Sequence, residues 1–163
     1  MPIDWRRSVL AALSLILALP LWAGPGVEAA VDFQLQRLDG GEARLSEFRG
    51  QWVVLNYWAT WCAPCRKEIP ELSALHRQRS DITVLGLAFE DPADTDLVGF
   101  LAEFDVAYPI LLVDVYQPPA PFGAPKVMPT TIILDTAGIA VKSFLGPVTG
   151  EMITDFIDSA AAP

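Results

Sequence analysis

The sequence predicts an α/β fold: one domain, residues 30–163, built as a central mixed β-sheet flanked by helices. Three observations predict it. Trp52 to Trp58 (WVVLNYW) is a continuous apolar run of strand length, as a strand covered on both faces requires. Cys65, Ile69, Leu72 and Leu75 then recur at helical spacing, and Ile82 to Phe89 (ITVLGLAF) is a second apolar run. Strand, helix and strand in that order make a parallel βαβ unit. Near the C-terminus, Thr130 to Leu134 and Ile139 to Leu145 flank the turn residues Asp135 to Gly138, a hairpin signal that adds antiparallel strands.

With 163 residues, 52% hydrophobic and 19% charged, the chain can bury a sizeable core without disulfide staples. Its 2 cysteines lie close together, and with 1 histidine they exclude a four-cysteine zinc site and leave few soft ligands for any other. The net charge is −9. Such an acidic body argues against a nucleic-acid partner, whose phosphates would repel it.

Residues 1–29 read as an export segment. Arg6 and Arg7 form a positive start, Val9 to Ala23 is a run of 15 apolar or small residues, and Val27-Glu28-Ala29 offers small residues for cleavage. A membrane-spanning helix needs about 20 apolar residues, so a cleaved signal peptide is preferred over a retained N-terminal membrane anchor. Either reading puts the domain in the periplasm or otherwise outside the cytoplasm, where disulfides persist.

Val31 to Phe48 reads as an N-terminal hairpin: Val31, Phe33 and Leu35 alternate with polar residues, and Leu38 to Glu42 is turn chemistry. The helix after Trp58 runs to about Arg79 with Pro70 inside it, where a bend is expected. Leu97, Phe100, Leu101 and Phe104 fall on one helical face and predict an inserted helix. Ile110 to Val113 is a third short strand. Gln117 to Pro125 (QPPAPFGAP) carries four prolines and reads as a loop. Met152, Ile153, Phe156 and Ile157 mark a last helix.

The chemistry lies between the first strand and its helix. Cys62-Ala63-Pro64-Cys65 at a strand-to-helix turn is the spacing of a redox dithiol. At a helix N-terminus the unpaired N–H groups and the dipole favour a thiolate, so Cys62 is the expected nucleophile. Cys65, within the first turn and shielded, is the expected resolving thiol. Pro64 fits a helix start. Trp61 adjoins the nucleophile and is expected to face the substrate, whereas Trp58 is expected in the core. His76, the only imidazole, lies about 21 Å from Cys62 along a straight helix and cannot serve a cysteine–histidine dyad; it is expected at the surface or an edge.

WATWCAPCRKEIP resembles the active-site segment of the thioredoxin superfamily, in particular its exported TlpA/ResA/CcmG (DsbE)-like branch. The resemblance extends from about Val31 to Asp158 through the LDGGEARLSEFRGQWVVLNYWATWC approach and MPTTIILDTAG. It implies a thioredoxin-like fold with a four- to five-stranded sheet, and a protein disulfide reductase with no cofactor beyond a redox-active Cys62–Cys65 disulfide. It also implies an exported disulfide-containing client, often apocytochrome c, and a membrane electron donor of the DsbD/CcdA kind. Met128-Pro129-Thr130 matches the loop whose proline is cis in the family and faces the dithiol, so Met128 and Pro129 are expected to receive the substrate chain. Asn56 stands where thioredoxin proper has a buried aspartate. Glu68 matches an acidic residue of the ResA-like branch and would take the resolving thiol's proton; the competing reading makes it an exposed glutamate complementing the helix dipole. The proline-rich Gln117 to Lys126 stretch departs from the family pattern.

Other classes share the scaffold. A peroxiredoxin-like peroxidase needs a threonine or serine three residues before its cysteine, where this chain has Ala59. A Cu(I)-binding or thiol-chaperone module would use the two cysteines with Met128 as a thioether ligand.

Overall fold

The computed structural model describes residues 29–162. The export reading of residues 1–29 therefore falls, apart from Ala29, outside the described residues. Among the described residues no helix is long and apolar enough to cross a membrane.

The chain forms β1 (Gln34–Arg37), β2 (Glu42–Arg44), a 3-10 turn (Leu45–Phe48), β3 (Trp52–Trp58), α1 (Ala63–Gln78), β4 (Ile82–Ala88), α2 (Leu97–Leu101), β5 (Ile110–Leu112), β6 (Thr130–Leu134), β7 (Ala140–Leu145) and α3 (Gly150–Ala160). One mixed sheet of 7 strands has the order β2-β1-β5-β4-β3-β6-β7. β3, β4 and β5 run parallel, and β6 and β7 add antiparallel strands beside β3. This thioredoxin-like sheet is wider than the four to five strands implied by the family likeness. The N-terminal hairpin does not simply cap the domain: β1 pairs with the edge strand β5 through Gln36↔Leu112 and Arg37↔Leu111. Pairing satisfies an edge that would otherwise expose free N–H and C=O groups.

Side chains alternate across the sheet and build two apolar layers. Val54 and Trp58 face α1 and α3, while Val53, Leu55 and Tyr57 face the layer that includes Ala43 and Leu45 of the N-terminal segment. Position 56 shares the α1 face with 54 and 58, so Asn56 is forced into the core at 1% exposure. Gly86 on β4 has a steric reason: a Cβ there would lie 2.7 Å from Ile110 Cδ1 and 2.9 Å from Tyr108 Cε2.

Other local expectations shift in detail. α1 runs unbroken through Pro70, which is solvent-exposed. The inserted helix is short, 5 residues with Gly99 inside it and its N–H held by the Asp96 cap, and Phe104 packs on Phe100 from beyond its end, ring centroids 5.2 Å apart. The Gln117 to Pro125 stretch forms turns and no helix. His76 is neither free nor on an edge. Its Nδ1 accepts the Val84 N–H at 3.2 Å and its ring meets Tyr108 edge-on, so it is half-buried and ties α1 to β4. Burial lowers its pKa, with Arg77 adding in the same direction.

Candidate active site

β3 ends at Trp58, and Ala59 to Trp61 turn the chain into α1 with the Cys62 N–H bonded to the Ala59 carbonyl at 3.1 Å. Cys62 is the N-cap of α1, and its sulfur accepts the Cys65 N–H at 3.3 Å. That sulfur occupies the place a serine or aspartate oxygen takes at an ordinary N-cap, where it satisfies an otherwise orphaned donor. Pro64 is the second helical residue, where its missing N–H costs no helical bond. Cys62 and Cys65 are joined as a disulfide, S–S 2.00 Å with Cα atoms 5.3 Å apart. Cys62 is 4% exposed and Cys65 0%, so both sulfurs are covered in the disulfide form and Cys65 completely so. Trp61 beside it is 67% exposed, and Trp58 is fully buried.

The Met128–Pro129 peptide is cis. Met128 packs against the cluster that contains both cysteines and also against the opposite layer, and Val127 before it is exposed. Pro129 is held where its carbonyl accepts the Gly146 N–H at 2.9 Å, and Thr130 Oγ1 donates to the Val127 carbonyl at 2.6 Å.

Glu68 decides one open reading. It lies one turn beyond Cys65 on the buried face of α1 and is 3% exposed, so it is not a surface charge at the helix start. Its Oε1 accepts the Val148 N–H at 2.6 Å, and its Oε2 accepts Asn56 Nδ2 at 3.1 Å. The same amide nitrogen donates to Thr131 Oγ1 at 3.0 Å; Thr131 is the antiparallel partner of Asn56 in the sheet. Burial raises the Glu68 pKa, the Val148 and Asn56 hydrogen bonds pull it back in part, and Glu71 adds to the rise. A carboxyl group in this setting can hold or release a proton close to Cys65.

Sequence reasoning brought Cys62, Cys65, Pro64, Glu68 and the Met128–Pro129 loop to notice. It missed Thr131 and Val148, whose roles depend on strand pairing and a distant loop. It also missed Glu90, which binds the turn ahead of Cys62 through Thr60. Ala59 is fully buried and brings no hydroxyl to the place a peroxidase would need one.

Comparison with known proteins agrees with this geometry. Residues 27–143 match the model of the AhpC/TSA family. The chain is 33% identical over 132 residues to the thiol-disulfide oxidoreductase ResA of Geobacillus thermodenitrificans, covering 80% of this chain and 75% of that protein. Among solved structures, a Chlorobium tepidum protein described as a thiol:disulfide interchange protein DsbE superposes with a TM-score of 0.71 at 26% identity, over 83% of this chain and 96% of that one. A secreted thiol-disulfide isomerase from Corynebacterium glutamicum superposes at 0.66 with 32% identity, over 77% and 81%. The chain belongs to the AhpC/TSA family and is a thioredoxin-like thiol–disulfide oxidoreductase of the ResA/DsbE type.

Proposed function

We propose that this protein is an exported reductant of disulfides in client proteins, with Cys62 as nucleophile and Cys65 as resolving thiol. The observation that carries the assignment is the Cys62 sulfur at the N-cap of α1, where it accepts the Cys65 N–H. A thiolate there gains that hydrogen bond and the positive end of the helix dipole. Cys65 has no exposure and cannot meet a client first.

In the reduced protein the Cys62 thiolate attacks one sulfur of a client disulfide. An S–S bond forms between Cys62 and the client as the client's own S–S bond breaks, and the other client sulfur leaves as a thiolate that takes up a proton. Cys65 then loses its proton to Glu68 and attacks the Cys62 sulfur. The mixed disulfide breaks, the second client sulfur leaves as a thiolate that takes up the proton Glu68 received, and the Cys62–Cys65 disulfide remains. The client has gained two electrons and two protons. A membrane dithiol donor of the DsbD/CcdA kind returns two electrons to this disulfide. Trp61, Val127 and Met128 supply apolar surface beside the dithiol for the client chain. Apocytochrome c, with its pair of cysteines, is the client class this reading favours.

Export is supported by the basic start and apolar run within residues 1–29, and by the secreted relative. Direction is supported by the absence of charge at Ala63 and Pro64 between the cysteines and by the carboxylate of Glu68 one turn away, which opposes heavy stabilisation of a thiolate. Replacing Cys65 by serine and pulling down the proteins held as mixed disulfides on Cys62 tests the roles. A reducible adduct on Cys62 is expected. Adducts confined to Cys65 in the reciprocal Cys62→Ser variant would reverse them.

A further inference from the structure

The register of β3 and β4 carries a second buried carboxylate to the dithiol turn. The strands pair in parallel from Trp52↔Ile82 to Trp58↔Ala88, and the ladder continues one bond further, the Phe89 N–H donating to the Trp58 carbonyl at 2.9 Å. The same offset of 30 residues sets Glu90 beside Thr60, two positions ahead of Cys62. Both oxygens of the carboxylate are used. Oε1 accepts the Thr60 N–H at 2.7 Å, and Oε2 accepts Thr60 Oγ1 at 2.8 Å and Thr95 Oγ1 at 3.3 Å. Glu90 is 7% exposed, and among the described residues it forms no ion pair.

A buried carboxyl group surrounded by donors keeps its place, because exchanging those bonds for nothing leaves every partner unpaired. Here the held residue is Thr60, in the turn Ala59–Trp61 that delivers the nucleophile. Successive Cα atoms are about 3.8 Å apart, so Thr60 and Cys62 are at most about 7.6 Å apart at their Cα atoms. The carboxylate lies within hydrogen-bond distance of Thr60, two residues before Cys62, where a partly buried charge is little screened by salt. We infer that Glu90 is a positioning residue of the dithiol turn, clamping Thr60 so that Cys62 stays at the α1 N-cap while its own negative charge disfavours the Cys62 thiolate. The clamp also couples the 91–96 segment, through Thr95, to the reactive turn.

This inference rests on Cys62 being the attacking sulfur. The other ionisable groups around the turn are Arg66, Lys67 and Glu68 on α1 and Lys126 ahead of Met128. Around Glu90 they are Asp91, Asp94 and Asp96 on its own loop and Asp114 after β5. All of them are kept in the variants below.

The test uses the full chain, reduced, and reads the pH midpoint of iodoacetamide labelling at Cys62 together with the equilibrium against glutathione. Glu90→Gln keeps the size and an acceptor for the Thr60 N–H but removes the charge. Its midpoint is expected to fall by about half a pH unit or more, and its glutathione equilibrium to move about threefold toward the reduced protein. Thr95→Val strips one donor from the carboxylate and leaves its charge, so its midpoint is expected to rise. A merely structural tie would move the melting temperature of both variants and neither midpoint. Wild-type midpoints and equilibria in Glu90→Gln overturn the inference; if that variant does not fold, an unmoved or lowered midpoint in Thr95→Val does so. If the wild-type protein labels at Cys65 first, the assignment of Cys62 fails and the inference with it, an outcome read before any Glu90 variant is made.

Discussion

Glu68 and Glu90 are both buried glutamates beside the dithiol turn, one near it in sequence and one brought to it by strand register, yet the chain holds them by different means. Glu68 sits on a helix, behind Cys65, and receives two hydrogen bonds, from a loop N–H and from the Asn56 amide. Glu90 sits just past a strand end, ahead of Cys62, and receives three, two of them from Thr60. Burial outweighs the donors at Glu68 and raises its pKa. The difference teaches that position and donor supply, rather than residue type, separate a group suited to moving a proton from one suited to fixing a turn.

The comparison breaks most severely at Asn56. Asn56→Asp replaces the amide donor to Glu68 by a second carboxylate in the same buried site. It is expected to cost roughly 3 kcal/mol at pH 7, and less at acidic pH as protonation of one carboxyl relieves the repulsion. Urea unfolding at neutral and acidic pH measures this; equal losses at both would mean the two side chains do not interact.

Glu68→Gln should slow client reduction roughly tenfold or more while leaving formation of the first mixed disulfide intact, because only the resolving step needs a proton acceptor. It also has a stability signature. The folded-state pKa of Glu68 is raised, so the folded protein keeps a proton that the unfolded chain has already lost. Its contribution is therefore complete below the ordinary glutamate range and is lost as pH rises through the raised folded value. Unfolding of the oxidised protein across that window should show the decline in wild type and a flatter profile in Glu68→Gln.

His76 gives the smallest effect and serves as the control. His76→Ala loses the bond to the Val84 N–H and should cost about 1 kcal/mol, with no change in glutathione equilibrium because the residue lies toward the far end of α1. Since its pKa is lowered by burial, the wild-type contribution is present above the ordinary histidine range and lost as pH falls through the lower folded value. A urea titration of both proteins from neutral to mildly acidic pH checks the sign.

Much of this arrangement was legible in the chain. The β3–α1–β4 unit, the β6–β7 hairpin and the dithiol all rest on local signals: apolar runs, helical spacing and turn residues. Glu68 was legible in principle, since it falls beside Cys65, Ile69 and Leu72 on one helical face. Charge alone suggested exposure, and only Asn56, Thr131 and Val148 explain why a carboxyl group is tolerated there. What escaped the sequence was non-local. The pairing of β1 with β5, which widens the sheet, depends on which edge a hairpin finds. Glu90 needed the register of two strands, and His76 needed the path of β4 beneath α1.

The central claim is that this dithiol is built to give electrons, and equilibration of the purified protein with a glutathione series tests it most directly. Strong oxidants of this chemistry stand near −120 mV and thioredoxin near −270 mV. A potential more negative than about −200 mV is expected. A value near −120 mV would make the protein a donor of disulfides and contradict the assigned direction.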